Sequence, residues 1–283
     1  MIIKPSGKSL GATITEIELS SDLSNEVIAL IRDAWLEYHV ISFPDQILNH
    51  DQLLQFTLAL GPFGEDPFIE PIEGQRNILA IQRKSDEKSP VFAENWHTDW
   101  SFQLKPPAGT CLYGIDIPPV GGDTLFSDQI SALSEMPKDL FRRIEGRLAV
   151  HSAKFAYAPD GMYGEADRSS DRSMSIKASH SAYETQIHPI IKTHPETGKA
   201  SLFGCLGYII GIEGMTSNES LELLYELFQW QTNAKFIYRQ RWTPNMLVLW
   251  DNRCLLHRAT GGYEGFSRYL LRTTVADTRL VDA

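Results

Sequence analysis

Hydrophobic and polar positions along this chain follow two different patterns. In the first quarter, apolar residues recur at helical spacing and predict a helix over Asn25–Tyr38 that begins after Ser24. The same pattern predicts a helix over Asp51–Leu60 that begins after Asn49 and ends at Gly61. Short apolar runs predict two strands in this part of the chain, at 40–43 and 77–82.

From about Trp96 onward the pattern becomes a series of short strands separated by glycine- and proline-containing turns. We predict these strands near 97–102, 109–116, 123–127, 147–153, 187–193, 199–204, 236–242, 246–250 and 268–276. A helix at 218–231 interrupts them. Many short strands with few helices favour a β-sandwich or jelly roll, although a mixed α+β domain also agrees with the periodicity.

The segment Ala156–Tyr183 differs from both patterns, because it is rich in Ser, Asp, Arg and Gly and has little periodicity. A loop of this length in a compact domain is usually functional or mobile. We interpret it as a lid insertion at about 156–183, with a disordered surface insertion as the alternative for its middle part. No internal repeat or low-complexity linker divides the rest, so we predict a single domain over 1–283.

Composition narrows the class of protein. The chain has 283 residues, 42% of them hydrophobic, which supports a large domain with a real core. A net charge of −10 argues against nucleic acid or an anionic membrane as the main partner. Its 3 cysteines are too few and scattered for a disulfide framework, and the N-terminus lacks a signal-peptide pattern. We therefore expect a cytoplasmic protein without a membrane span.

The candidate chemistry centres on His97 and Asp99, read together with His257. Two imidazoles and one carboxylate form the facial set that suits non-haem Fe(II) and leaves metal positions open. In a strand, residues two apart point to the same face, so we expect His97 and Asp99 to point into a barrel mouth. A lone His-x-Asp is common by chance. His257 is a suitable third ligand, because it follows the apolar run 246–250 and a turn.

Five other histidines compete for that third position or have structural explanations. His188 and His194 bracket a predicted strand, but each is followed by proline, which indicates turns. His151 could line the pocket floor or be a satisfied core residue. His39 and His50 lie at helix ends, where capping or surface roles are typical.

Two arginines on the last predicted strand suggest an anion site. Arg268 and Arg272 are four residues apart and therefore face the same side of the strand. Ion pairs with Asp or Glu of neighbouring strands would be the structural explanation. Burying two such cations without partners would cost several kcal/mol each, so we favour an anionic ligand.

Several segments carry a family resemblance. WHTDWSF (96–102), GGDT (121–124), HPETGKASLF (194–203) and WDNRCLLHRA (250–259), followed by the two arginines, resemble the taurine dioxygenase family of Fe(II)- and 2-oxoglutarate-dependent dioxygenases. That family includes enzymes that act on phenoxyacetate herbicides and alkyl sulfates. The likeness extends from Leu10 to Arg272, nearly the whole chain.

The resemblance implies a mainly β fold with flanking helices and a double-stranded β-helix (jelly roll) core. It also implies that His97, Asp99 and His257 are the catalytic iron ligands. The carboxylate of Asp99 points to oxygenation, because halogenating relatives by fold lack it. The implied reaction uses O₂, decarboxylates 2-oxoglutarate to succinate and CO₂, and hydroxylates a small-molecule substrate.

The resemblance further assigns the co-substrate clamp. Arg268 would pair with the C5 carboxylate of 2-oxoglutarate, helped by Thr124. Arg272 would lie nearer the metal, against the C1 carboxylate or an anionic group of the prime substrate. The resemblance also suggests a homo-oligomer, a dimer or a tetramer.

Substrate identity is less well defined. Taurine-cleaving members carry a histidine in the loop corresponding to 68–73, and no histidine occurs here between Pro62 and Trp96. We expect a larger or less polar organic substrate than taurine, with an anionic group still compatible through Arg272. Candidate substrate contacts are Phe68, Asn95, Phe203 and Arg272. Alternatives are a taurine, alkylsulfonate or alkylsulfate dioxygenase, a non-catalytic jelly-roll binding protein, and a zinc hydrolase.

Overall fold

The computed structural model describes residues 1–168 and 171–278, and strands dominate this part of the chain. The strands are β1 (Ile2–Pro5), β2 (Ala12–Thr15), β3 (Val40–Phe43), β4 (Leu79–Arg83), β5 (Gly109–Asp116), β6 (Thr124–Asp128), β7 (Leu148–Ser152), β8 (Thr185–Pro189), β9 (Ile191–Thr193), β10 (Ala200–Leu202), β11 (Ile209–Ile212), β12 (Ile237–Gln240), β13 (Leu247–Asp251), β14 (Leu255–Ala259) and β15 (Arg268–Val275). The helices are α1 (Asn25–Tyr38), α2 (His50–Leu60), α3 (Gln129–Ser134), α4 (Lys138–Ile144), α5 (Lys154–Tyr157), α6 (Glu165–Arg168) and α7 (Ser217–Gln231). Short 3₁₀ turns lie at His180–Tyr183 and Ala234–Phe236.

The largest layer is a seven-stranded sheet in the order β1-β2-β3-β13-β5-β15-β4. All its pairs are antiparallel except β2 with β3. Helices α1 and α2 cover one face, where Trp35, Phe43 and Phe56 form part of a buried apolar cluster. Burial of such large side chains stabilises the layer by about 1.5–3 kcal/mol each.

A second layer faces the other side of this sheet. Strands β12, β6 and β14 form a three-stranded antiparallel sheet, and Phe126 of β6 packs on Trp250 of β13 with ring centroids 5.5 Å apart. Leu112, Val248 and Leu255 belong to the same buried cluster between the layers. Two facing sheets with helices outside them form the sandwich that the sequence predicts.

A further sheet, β11-β7-β8, and the hairpin β10-β9 extend the second half of the chain. Helices α3, α4 and α7 pack there around a separate apolar cluster that includes Ile144, Ile209 and Leu227. None of the helices in the described residues has the length and apolar character that a membrane crossing needs.

The strongest local signals are confirmed. Helix α1 begins after Ser24, whose side chain accepts from the Val27 amide, and α2 begins after Asn49 with a full capping box. Helix α7 spans one residue more than predicted. Most predicted strands occur within a few residues of their expected bounds.

The prediction of a strand at 97–102 is wrong. His97 forms an isolated antiparallel bridge with His257, and the chain then turns, with Trp100 at a φ of +50°. The predicted strand 187–193 is two strands, β8 and β9, in different sheets. The periodicity also missed β1, β2, β11 and β14, which are only four or five residues long.

The predicted lid segment is partly compact. It contributes α6, part of α5 and a 3₁₀ turn, while residues 169–170 lie outside the described part. Tyr157, Tyr163 and Met174 are buried in one cluster with Phe68 and Trp100. This part of the segment therefore packs against the wall that bears Trp100.

Candidate active site

Three side chains converge at the open end between the two sheets. Asp99 Oδ1 lies 3.6 Å from Nε2 of His97 and 3.6 Å from Nε2 of His257. One ligand atom from each of the three lies within 4.8 Å of the others. The structure thus brings together all three residues that the sequence predicts as metal ligands.

The local backbone explains how distant residues meet. His257 lies in the middle of β14, and its amide and carbonyl exchange hydrogen bonds with those of His97 at 2.8 and 3.0 Å. Thr98 follows His97 in the chain, and its hydroxyl donates to the carbonyl of Leu255 in β14 at 2.9 Å. Asp99 therefore reaches the cluster from a turn that is anchored on β14, not by strand alternation.

The protonation states suit a cation held by this cluster. The Nδ1 of His97 lies 2.8 Å from the Asn95 carbonyl, an oxygen that can only accept, so Nε2 keeps its lone pair for the cluster. Burial lowers the pKa of His257 to about 3, and the nearby His97 acts in the same direction, so this imidazole is neutral. Two imidazoles that each turn Nε2 toward one carboxylate oxygen form a donor set that fits a divalent iron.

Asp99 is held as an anion in one orientation. Burial alone would raise the pKa of Asp99, but the Arg272 guanidinium and then His257 hold it well below its usual value. Its Oδ2 accepts from the hydroxyl of Thr110 at 2.7 Å, while Oδ1 faces the two imidazoles. Asn252 donates to the same hydroxyl at 2.9 Å and accepts from Trp250 Nε1 at 2.9 Å.

Arg268 is a buried cation without an acidic partner in the described residues. It is only 6% exposed, and its Nε has no hydrogen-bond partner. Burial lowers the pKa of Arg268, and Tyr263 and Asp123 offset this only in part. Thr124 lines the same cavity, and its Oγ1 accepts from Trp242 at 3.0 Å. An anion entering the cavity would meet a guanidinium that forms no salt bridge with any of the described residues.

Arg272 has a different environment. Its Nη1 lies 3.3 Å from Asp99 Oδ1, and its Nη2 lies 3.1 Å from Asp66 Oδ1. Burial alone would lower the pKa of Arg272, but Asp99 and Asp66 raise it above its usual value. The Arg272 guanidinium therefore lies beside two carboxylates, but its Nε and Nη2 have no hydrogen-bond partner among the described residues, and its contact with an anionic ligand stays a prediction.

A cavity with mostly apolar walls lies over His97, Asp99 and His257. It is lined by Ile81, Phe92, Ala93, His97, Asp99, Trp100, Leu112, Thr124, Tyr157, Tyr208, Trp250, His257, Ala259, Arg268 and Arg272. Burial raises the pKa of both Tyr157 and Tyr208 well above the usual value, so their hydroxyls stay protonated. The cavity therefore brings together the three candidate metal ligands, the two arginines and an aromatic wall.

The four candidate substrate contacts lie at different distances from the cavity, and only Arg272 and Asn95 line it or its mouth. Phe68 stacks on Tyr157 with ring centroids 4.8 Å apart and lies behind the cavity wall. Asn95 lines the adjoining mouth of the cavity, where its carbonyl holds His97. Phe203 is not brought to the cavity, because it packs against His188 and under Lys192 beside a separate cleft.

The sequence missed three residues of this site. Asp66 contacts Arg272, and Thr110 donates to Asp99. Both partners lie more than ten positions away in the chain, so no local sequence pattern predicts these contacts. Tyr157 falls in the aperiodic segment, where an aromatic residue among polar ones was the available signal.

A second buried group of metal-ligating types, comprising His39, Asp251 and Cys254, has a structural explanation. Both oxygens of Asp251 accept from Arg253, at 2.9 and 2.7 Å, and Oδ2 also accepts from His194 at 3.0 Å. Burial raises the pKa of Cys254, so its thiol stays protonated. These contacts use the lone pairs that a metal would need.

Comparison with known proteins agrees with this geometry. The chain is 31% identical over 261 residues to an (S)-phenoxypropionate/alpha-ketoglutarate-dioxygenase of Sphingobium herbicidovorans, covering 91% of this chain and 88% of the relative. It is 32% identical over 270 residues to an alkylsulfatase of Acinetobacter baylyi, covering 94% and 82%. A solved taurine dioxygenase structure from Burkholderia xenovorans superposes with a TM-score of 0.78 at 28% identity, covering 97% and 89%.

The sequence model of the family described as "Taurine catabolism dioxygenase TauD, TfdA family" matches residues 3–274. The match and the relatives confirm the jelly-roll fold, the 2-oxoglutarate-dependent dioxygenase class and the use of Fe(II), 2-oxoglutarate and O₂ that the sequence predicted. On nearly its whole length, this chain belongs to the TauD, TfdA family.

Proposed function

We propose that this protein hydroxylates a small, largely apolar organic substrate, with His97, Asp99 and His257 as iron ligands and Arg268 as the clamp for 2-oxoglutarate. The observation that carries the site assignment is the environment of Arg268. A guanidinium that is buried, unpaired within the described residues and open to the metal cavity fits a carboxylate of a dianionic ligand.

Each group has a separate task in this proposal. Bound Fe(II) supplies the activation of O₂ that C–H hydroxylation needs. The protein holds Asp99 ionised through Arg272, orients it through Thr110, and keeps the His257 imidazole neutral. Arg268, with Thr124 beside it, fixes the far carboxylate of 2-oxoglutarate. Phe92, Trp100 and the two cavity tyrosines give the substrate a mostly apolar wall and exclude water.

The first test is anaerobic. Addition of Fe(II) and then 2-oxoglutarate to the wild-type protein should give a visible metal-to-ligand charge-transfer band. Arg268→Ala should need much more 2-oxoglutarate for the same band, and His257→Ala should lose it. Arg241→Ala removes an exposed arginine and is the matched control. Absence of the band in folded, iron-loaded wild-type protein would reject the assignment.

For the prime substrate, we propose a compound less polar than taurine. The support is the apolar cavity wall and the lack of a histidine between Pro62 and Trp96. The names of the relatives make aryloxy and alkyl compounds the scaffolds to screen first. The screen follows succinate formation. If taurine alone couples succinate formation to product, this part of the proposal fails.

Three wider features are also proposals. A net charge of −10 supports a small-molecule enzyme of the cytoplasm that acts on neither nucleic acid nor membrane. Resemblance to the family supports a dimer or tetramer, which light scattering after gel filtration would test.

Residues 156–183 act as a lid on a single domain. The lid proposal is supported by Tyr157 of this segment, which lines the cavity. Limited proteolysis tests it, because bound 2-oxoglutarate and substrate should protect the segment from cleavage.

A further inference from the structure

An ion pair between a cavity-lining arginine, Arg272, and Asp66 behind it bears on substrate choice. Asp66 lies in the loop after α2, outside the metal cluster, and its Oδ1 accepts from Trp100 Nε1 at 2.7 Å and lies 3.1 Å from Arg272 Nη2. Its Oδ2 accepts from Thr274 at 2.9 Å. Both oxygens of this buried carboxylate are therefore occupied by donors from β15 and from the turn after Asp99.

This loop is anchored, so the carboxylate has little freedom to leave. The Gly64 amide donates to the Thr274 carbonyl at 3.0 Å, and Phe63 forms an isolated bridge with Val275. On the other side of the pair, the Arg272 guanidinium lies 5.0 Å from the centre of the Trp100 ring. Asp66, Arg272 and Trp100 form one packed unit, which we call the Asp66 unit.

Counting formal charges shows what the Asp66 unit does. Around the cavity, the two guanidiniums of Arg268 and Arg272 are matched by the carboxylates of Asp99 and Asp66. In the proposed complex, Fe(II) is matched by the 2-oxoglutarate dianion. The loaded site is then neutral overall, and Arg268 is occupied by the co-substrate. No positive charge is left over for an anionic group on the prime substrate.

Among the described residues, the lining of the adjoining mouth of the cavity contains no lysine or arginine. Its lining residues are Ala93, Asn95, Trp96, His97, Phe155, Ala156, Tyr157, Met162, Tyr163, Gly207 and Tyr208. His97 is the one titratable base in this set, and its Nε2 faces the metal cluster. A substrate anion placed here would lose its hydration without gaining a partner charge, which is costly.

We infer that Asp66 is a specificity-determining residue that neutralises Arg272 and selects a prime substrate uncharged at neutral pH, with an apolar or aromatic body. This inference rests on the proposed function and refines its substrate class. It separates this chain from relatives whose named substrates are organic acids or sulfates. Removing the Asp66 charge should free Arg272 to bind a carboxylate or sulfate group.

The test uses matched pairs that differ only in charge: phenoxyacetate with phenoxyacetamide, and hexanoate with hexanamide. Each compound is titrated anaerobically into the Fe(II)–2-oxoglutarate complex by calorimetry, with the charge-transfer band recorded in parallel. We expect the wild-type complex to bind the amides about 10-fold or more tighter than the carboxylates. Asp66→Asn should improve carboxylate binding by a similar factor and leave amide binding nearly unchanged.

Glu65→Gln is the matched control, because it removes an exposed carboxylate from the same loop without touching Arg272. Asp66→Ser provides a second variant if the asparagine disturbs folding. Tighter binding of carboxylates than amides by the wild type overturns the inference. So does a folded Asp66 variant with an intact band and no gain in carboxylate binding. Loss of the band in the wild type would instead reject the proposed function.

Discussion

At the scale of single residues, Asp99 depends on a hydroxyl that belongs to another strand. Thr110 donates to Oδ2 of Asp99, and Asn252 donates to Thr110. This chain of hydrogen bonds leaves Oδ1 as the oxygen that faces the two imidazoles. Groups in the second layer of a metal site commonly set ligand orientation in this way.

Thr110→Val should therefore weaken metal binding while the fold persists. The substitution keeps the shape but removes the donor to Asp99 and the acceptor for Asn252. We expect a loss of about 10–100-fold in affinity for Fe(II), or for Co(II) as a stable substitute. Equilibrium titration with a competing chelator measures it. Thr13→Val removes a hydroxyl from β2 and serves as control. Equal affinities in the two variants would contradict the prediction.

His151 should make the protein sensitive to acid. Burial lowers the pKa of His151 to about 3, and His188 and Lys192 beside it act in the same direction. The unfolded chain binds a proton near its usual pKa of about 6.5, whereas the folded chain does not. Stability from this group is therefore present above about pH 6.5 and is lost progressively as the pH falls toward 3.

Replacement of His151 by Gln should flatten this dependence. Between about pH 6.5 and 4.5 the wild type should lose about 2 kcal/mol more unfolding free energy than the variant. Urea unfolding at both pH values measures the difference. His50→Gln, on the surface at the start of α2, is the control for replacing a histidine outside the core. A slope in His151→Gln equal to that of the wild type would refute the assignment.

At the scale of elements, the sequence correctly predicted those helices whose ends are determined by neighbouring residues in the chain. The bounds of α1 and α2 follow from Ser24 and Asn49, whose side chains satisfy the first free amides of each helix. Strand β14 gave no such signal. It is five residues long, is buried at its start, and is defined by its partners β6 and His97, which lie more than a hundred positions away.

The same limit applies to the site. The spacing of His97 and Asp99 predicted that these two side chains lie close together, but the predicted backbone was wrong, because a turn and not a strand brings them to one place. The spacing of Arg268 and Arg272 correctly predicted that both lie on one strand, β15. Only the tertiary structure shows that Arg272 contacts two carboxylates, whereas Arg268 has no acidic partner among the described residues. Asp66 carried no signal, because its role depends entirely on that pairing.

The cap of α2 allows a prediction at this scale. Asn49→Ala removes the acceptor for the Gln52 amide and half of the capping box, so it should cost about 1 kcal/mol of unfolding free energy. Chemical denaturation measures the change. Asn49→Asp keeps an acceptor at the helix start and should restore most of the stability. A full loss in the aspartate variant would show that the cap does not act through this hydrogen bond.

At the scale of the whole molecule, a buried ionic network joins parts that are far apart in sequence. Glu196, in the β9–β10 hairpin, lies 2.7 Å from Arg32 of α1 and 2.7 Å from Arg253. Arg253 in turn pairs with Asp251 at 2.7 Å, at the turn that leads into the strand of His257. The network therefore connects helix α1, the hairpin and the turn before β14, the strand that bears His257.

Glu196→Gln should destabilise the whole fold, because it leaves the Arg253 guanidinium, 8% exposed, short of one acidic partner. Breaking a buried pair from one side costs about 3–5 kcal/mol, whereas an exposed pair is worth about 0–1 kcal/mol. The control is Glu135→Gln, since Glu135 pairs with Lys235 at 2.9 Å and both are about half exposed. Thermal and urea unfolding should give one cooperative transition, shifted strongly only in Glu196→Gln. Equal shifts in the two variants would mean that the network adds no more than a surface pair.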